Sequence, residues 1–231
     1  MFARDYRELA LENLRGNWKP SILTAMVACL LGGLIVGSSF FPEFEIKIEG
    51  QNFRNIPEIL SYAFTNYGLT ISFVSALGLL QFILAGVIQL GYAQYLLNQY
   101  DHRDPQFSDL FSKFDRFGAG FCQFFLCTLY VTLWSLLLII PGIIAGLSYS
   151  MTPFIMAEHP ELTASEAIRA SKKMMCDNKW ALFCLNMSFI GWILLCGLSF
   201  NIGNLWLNPY LNAAQAAFYR KVSVSDPYNE M

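Results

Sequence analysis

Charge is what this sequence has least of. Only 14% of its 231 residues are Asp, Glu, Lys or Arg, whereas 55% are hydrophobic, and the mean hydropathy is +0.41. Soluble domains carry about 25% charged and about 45–50% apolar residues. The deficit is concentrated in four blocks with no charge at all: Pro20 to Phe41 (22 residues), Ile59 to Tyr100 (42), Phe117 to Ala157 (41) and Trp180 to Tyr219 (40). A compact soluble core needs no such runs, while a helix crossing about 30 Å of hydrocarbon needs roughly 20 apolar residues. The chain therefore reads as an integral membrane protein. Its fold class is all-α: a polytopic membrane helix bundle with amphipathic interfacial helices on the cytoplasmic side.

Other absences narrow the chemistry. There are two histidines, His102 and His159, each beside an acidic residue (Asp101-His102, Glu158-His159), with no helical His/Glu pair at metal-ligand spacing. The six cysteines sit in spans or on the cytoplasmic side, which excludes a disulfide framework and reads as small buried apolar residues. No Gly-rich phosphate loop and no nucleophile elbow occur, so no enzyme, cofactor or metal centre is expected. No charge lies deep in a span, which argues against a common ion-coupled pump. The basic clusters are topology signals and do not point to nucleic acid.

One long span fits in each of the first two blocks and two in each of the last two, giving about six: 20–41, 69–97, 118–140, 142–157, 180–200 and 202–219. Basic residues accumulate on the cytoplasmic side of short loops. Thirteen of the 15 Lys and Arg lie before the first span, between spans two and three, between four and five, or after six, which places both termini inside. Only Lys47 and Arg54 fall in the outer loop, 42–66. Gly37-Ser38-Ser39 resembles a signal-cleavage site, but the acidic residues ahead of the first span favour an uncleaved helix.

Between spans the sequence writes amphipathic elements. Within 1–19, Phe2, Tyr6, Leu9 and Asn13 share one helical face, and Gly16-Asn17 ends the helix. The outer loop opens with a strand-like alternation, Phe44, Ile46 and Ile48 against Glu43, Glu45, Lys47 and Glu49. Ile56-Pro57 then starts a short helix through Phe64. In 98–117, Asp104-Pro105 has the form of an N-cap and first-turn proline, leading a stripe of Phe107, Leu110, Phe111, Phe114 and Phe117. Pro141-Gly142 reads as the turn between spans three and four. In 163–178, Thr163 and Glu166 have capping-box spacing, and Ala164, Ala167, Ile168, Ser171, Met174 and Met175 form one face. Gly33/Gly37 and Gly142/Gly146 are small-residue pairs that permit close helix contact and a homo-oligomer. The tail is 220–231. An interfacial helix followed by a hairpin recurs three times, a physical rather than a close sequence repeat.

The most informative polar pattern is a seam in the last span. Asn201, Asn204, Asn208, Asn212 and Gln215 are spaced 3, 4, 4 and 3, on one side of a helix that also holds Pro209. Amides facing lipid are costly, so the seam must face protein or water. It is either interhelical hydrogen-bond glue or the lining of a polar path.

Several stretches carry a family resemblance: Arg7-Glu8-Leu9-Ala10 to Asn17-Trp18, Thr152-Pro153-Phe154 with Glu158, Ala164-Ser165-Glu166-Ala167-Ile168 with Ser171, and Ala216-Ala217-Phe218-Tyr219-Arg220. Across nearly its full length the chain resembles bacterial integral membrane proteins grouped as domain of unknown function number 975. The resemblance implies a six-helix plasma-membrane protein and no chemistry. A fainter likeness is to the membrane domain attached to some glycerophosphodiester phosphodiesterases, whose catalytic domain has no counterpart here. Two functions are then expected. One is a non-enzymatic membrane scaffold or accessory in envelope maintenance or export, working through membrane lipids or through protein partners at its cytoplasmic helices. The alternative is a small-solute transporter or channel lined by the seam.

Overall fold

The computed structural model describes residues 3–32, 56–199 and 202–224, with backbone alone for 56–71, 73 and 74. The alternating 42–49 stretch, Gly33/Gly37, the Gly37-Ser38-Ser39 site, Phe2, Asn201 and the last seven residues lie outside the described residues. Among the described residues every regular element is helical: α1 (Ala3–Leu14), α2 (Trp18–Leu30), α3 (Ile56–Tyr100), α4 (Phe117–Leu137), α5 (Ile139–Tyr149), α6 (Thr152–Glu158), α7 (Ala164–Met174), α8 (Lys179–Met187), α9 (Ile190–Leu198) and α10 (Asn204–Val224). Among the described residues four stretches are long and apolar enough to cross a membrane: Ser75–Tyr100, Phe107–Leu137, Ile139–Glu158 and Lys179–Leu198, with Trp18–Leu30 a shorter apolar helix.

Local chemistry sets the boundaries. Gly16, at φ +87°, supplies the left-handed residue that ends α1. The short helix expected from Ile56 and the second span are one 45-residue helix, α3, with Pro57 harmless in its first turn. It ends without glycine: His102 takes φ 53° and the Arg103 amide donates back to the Asn98 carbonyl at 2.9 Å. The phenylalanine stretch forms two 3-10 turns, Phe107–Phe111 and Phe114–Arg116, in place of a full α-helix. Its N-cap is Gln106, two residues beyond the expected Asp104, because Asp109 reaches back to the Gln106 amide (3.1 Å) while also accepting from Asn98 Nδ2 (2.9 Å).

The hairpin bends at Leu138 (φ −159°, ψ 143°), ahead of Pro141-Gly142. Pro141 sits in the first turn of α5, where its missing N–H forfeits no helix bond. The apex from Leu136 to Ile140 is wholly apolar, with every residue 63–84% exposed. The fourth span is split into α5 and α6. Pro153 cannot donate to Tyr149, and the Ser150 hydroxyl donates to the Leu147 carbonyl at 2.8 Å. The fifth is split into α8 and α9 without a proline, and there too a serine bonds back to the helix, Ser188 Oγ donating to Leu185 O at 2.7 Å.

The helices pack through small residues. At the α3–α4 crossing a Cβ on Gly86 would collide with the Gly120 carbonyl, and where α3 meets the Phe107–Phe111 turn one on Gly91 would collide with the Leu110 carbonyl. Gly142 lies against Ser135 inside the hairpin, whereas a side chain at Gly146 would meet open space, so that pair forms no shared contact face. The centre of the molecule is α10: every residue from Pro209 to Tyr219 is buried. It is enclosed by α1, α2, α3 and α9.

Candidate functional site

Two of the three amphipathic helices have their apolar faces already covered by this chain. In α1 the buried face is Tyr6, Ala10 and Leu14, one turn apart, turned from the Tyr6–Leu9–Asn13 face read in the sequence. It packs on α10, where Tyr6 lies 5.2 Å from Phe218 between ring centroids. The face of α7 (Ala164, Ala167, Ile168, Ser171) packs against α4, α5 and α6, with Ser171 Oγ donating to Ser148 O at 2.8 Å. Its capping box is formed as read: Glu166 N donates to Thr163 Oγ1 (3.4 Å) and Thr163 N to Glu166 Oε2 (2.9 Å). That hydrogen bonding holds the Glu166 carboxyl below its ordinary pKa. The phenylalanine turns differ: Phe107, Phe111, Phe114 and Phe117 remain exposed.

The seam residues are interior. Asn212 and Gln215 are fully buried, and Asn204 and Asn208 half-buried. Asn212 Nδ2 donates to the Asn208 carbonyl at 2.8 Å. None of the four lines any of the three cavities described below.

The charged cluster of the molecule lies where α3, α6 and α10 end. Arg220 donates to Asp101 Oδ2 at 2.6 Å and, closer still, to Glu158 Oε1, while Tyr219 Oη donates to Glu158 Oε2 at 2.6 Å. Burial alone would lower the Arg220 pKa, but the bonds and charge of Glu158 and the charge of Asp101 outweigh it and raise the pKa. Each of the three is the first charge after a charge-free block, following Tyr100, Ala157 and Tyr219 respectively. That regularity was available in the sequence, where Asp101 and Glu158 stand out as neighbours of histidines and Glu158 and Arg220 among the family-like residues, with nothing to join the three. The cluster borders a cavity of about 850 Å³ that Tyr6, Gln94, Arg103 and Lys221 also line. Of the histidines, His159 Nδ1 is 3.2 Å from Glu161 Oε1. Among the described residues no three His, Cys, Asp or Glu side chains gather to hold a metal ion.

A second cavity, about 270 Å³, opens between α3, α4 and α5. Its lining includes Gln89, Gln123, Cys127 and Tyr149. Both glutamines are at least nine-tenths buried, and their Oε1 atoms have no hydrogen-bond partner among the described residues. A third, about 540 Å³, lies between α1, α9 and α10.

Among the described residues four apolar stretches are long enough to span a bilayer, and the Asp101–Glu158–Arg220 cluster lies at helix ends, the pattern of a multi-helix membrane protein. Residues 135–226 match the family model described as Protein of unknown function (DUF975). The match covers the hairpin apex, α5 to α10, and two members of the charged cluster, Glu158 and Arg220. Comparison with curated proteins and with solved structures found no match.

Proposed function

We propose that this is a non-enzymatic protein of the bacterial plasma membrane, with about six spans and both termini inside. On this reading it acts through lipid and protein neighbours in envelope maintenance or export. The observation that carries the reading is the placement of the α10 seam: Asn212 and Gln215 are fully buried, Asn212 bonds the Asn208 carbonyl of its own helix, and none of Asn204, Asn208, Asn212 and Gln215 lines a described cavity, as packing contacts would have it. The meeting of Asp101, Glu158 and Arg220 supports the parity of the span count, since it gathers the ends of three charge-free blocks at one place. The exposed phenylalanine turns are the element left for a lipid or protein neighbour. The test is cysteine scanning of Asn204, Asn208 and Asn212 in a chain cleared of native cysteines, with a membrane-impermeant thiol label in intact cells. Silence at all three is expected; labelling at 204, 208 and 212 with silent neighbours would refute it.

One observation favours the second reading, a path for small solutes, at a cavity apart from α10. Gln89 and Gln123 line the cavity between α3, α4 and α5, and their buried amide oxygens have no hydrogen-bond partner among the described residues. Buried acceptors of that kind call for a donor, water or a small polar solute. Cys127 lines the same cavity and is its native reporter. Labelling of a chain whose one cysteine is Cys127, abolished by Gln89→Leu with Gln123→Leu, would favour a path there; silence would dismiss it.

A further inference from the structure

The cavity of about 540 Å³ between α1, α9 and α10 differs in kind from the other two. It is walled by Trp18, Trp192 and Trp206, three of the five tryptophans in the chain, together with Leu195 and Leu207. Trp192 and Trp206 are exposed, so their rings form a rim reachable from outside the protein. The volume falls within the roughly 300–1,000 Å³ range of small-molecule sites. Tryptophan suits surfaces where an apolar body meets a polar boundary.

Into this apolar lining the protein sets one cation. Arg7 lies 5.5 Å from the Phe189 ring centroid, and its Nε donates to Tyr210 Oη at 3.3 Å. These two contacts fix the plane of the guanidinium. Its two terminal nitrogens make no hydrogen bond or ion pair among the described residues, although Arg4 on the same helix is paired with Glu8. A guanidinium held by one edge, with the other pair of N–H groups unused, matches the geometry of bidentate phosphate binding. A carboxylate of the protein would satisfy the charge equally well, and none among the described residues is placed there.

We propose that this groove binds one anionic phospholipid, its phosphate on the Arg7 guanidinium and an acyl chain along the tryptophan wall. Charge complementarity selects the headgroup; the indole and leucine lining accepts the chain. The inference rests on the reading that the protein works among lipids, and gives that reading a particular site.

The test uses the full chain with Trp206 as its one tryptophan, the other four replaced by Phe, in vesicles containing brominated phosphatidylglycerol or brominated phosphatidylcholine. Bromine quenches indole fluorescence on contact. Brominated phosphatidylglycerol is expected to reach half-maximal quenching at about one-tenth the mole fraction that phosphatidylcholine needs, the scale of one charge-assisted bond. Arg7→Gln should abolish the difference, and Arg4→Gln should leave it intact. Equal quenching by both headgroups, or a preference that survives Arg7→Gln, would overturn the site alone. No quenching by either would overturn the lipid-embedded reading beneath it. If Arg7→Gln does not fold, native mass spectrometry of the unaltered protein from vesicles of both lipids decides. One retained phosphatidylglycerol per chain supports the site; retained phosphatidylcholine, or none of either, overturns it.

Discussion

Arg220→Met is the substitution whose outcome the charged cluster specifies most closely. It removes the cation that both Asp101 and Glu158 face, without greatly changing volume. The side chains of Arg220, Asp101 and Glu158 are 17%, 21% and 30% exposed, between the buried and the surface cases. Breaking a buried pair costs about 3–5 kcal/mol and a surface pair about 0–1. Two charge-assisted bonds at roughly 1.5–3 kcal/mol each, discounted for solvent, give about 2–4 kcal/mol here. Glu158→Gln should cost less, about 1 kcal/mol, because Tyr219 Oη can still donate to the amide oxygen and Arg220 keeps Asp101. Combining Asp101→Asn and Glu158→Gln with Arg220→Met should recover much of the loss, since no carboxylate is then left without its cation. Chemical unfolding of the purified protein, followed by tryptophan fluorescence, gives all three values. If Arg220→Met were no more damaging than Glu158→Gln, Arg220 would not be what holds the ends of α3, α6 and α10 together. A triple variant worse than Arg220→Met alone would refute the charge argument itself.

Other expectations follow from packing and capping. Gly86→Val should cost about 1–3 kcal/mol or displace α3 from α4, since its side chain meets the Gly120 backbone, whereas Gly146→Val, which faces open space, should fall within about 0.5; thermal denaturation compares them. Ala10→Arg, on the fully buried face of α1, should release α1 from α10 and open its amides to hydrogen exchange, while Leu11→Arg, on the exposed side, should not. Thr163→Ala should lower stability by about 1 kcal/mol through loss of the cap. Glu166 has a depressed pKa in the folded state, so its contribution is present above its unfolded pKa and is lost as pH falls through the lower folded one. Exchange of the first-turn amides of α7 should therefore rise below about pH 4 in the native chain, and Glu166→Gln should show no such step.

What could be read from the sequence was what depends on neighbours along the chain. Charge-free blocks marked the helices, Gly16 the end of α1, and Thr163 with Glu166 the start of α7. Even the split at α5–α6 had a local sign in Pro153. Coverage of faces was a different matter. The alternation of polar and apolar residues in α1 and α7 is equally compatible with a lipid surface and with another helix, and only the fold decides that α10 covers one and α4 to α6 the other. For α10 the same limit worked in reverse: its asparagines and glutamine lower its hydropathy, yet every residue from Pro209 to Tyr219 is buried. Asp101, Glu158 and Arg220 stand 57 and 62 residues apart, so no spacing rule joins them.

The bare apex of the α4–α5 hairpin bears on how the molecule enters the bilayer. From Leu136 to Ile140 there is no side chain that prefers water, and the nearest charged residues along the chain are Arg116 and Glu158, at the hairpin's two feet. A hairpin of this composition has no hydrophilic loop to drag through hydrocarbon. Both arms can enter together from the side on which the chain is made, tip first, with backbone bonds already closed within each helix. The charged linkers on either side then act as stops. Biogenesis of this segment should depend little on the machinery that moves polar loops across the membrane, and an Asp or Lys placed at Leu138 should make it dependent.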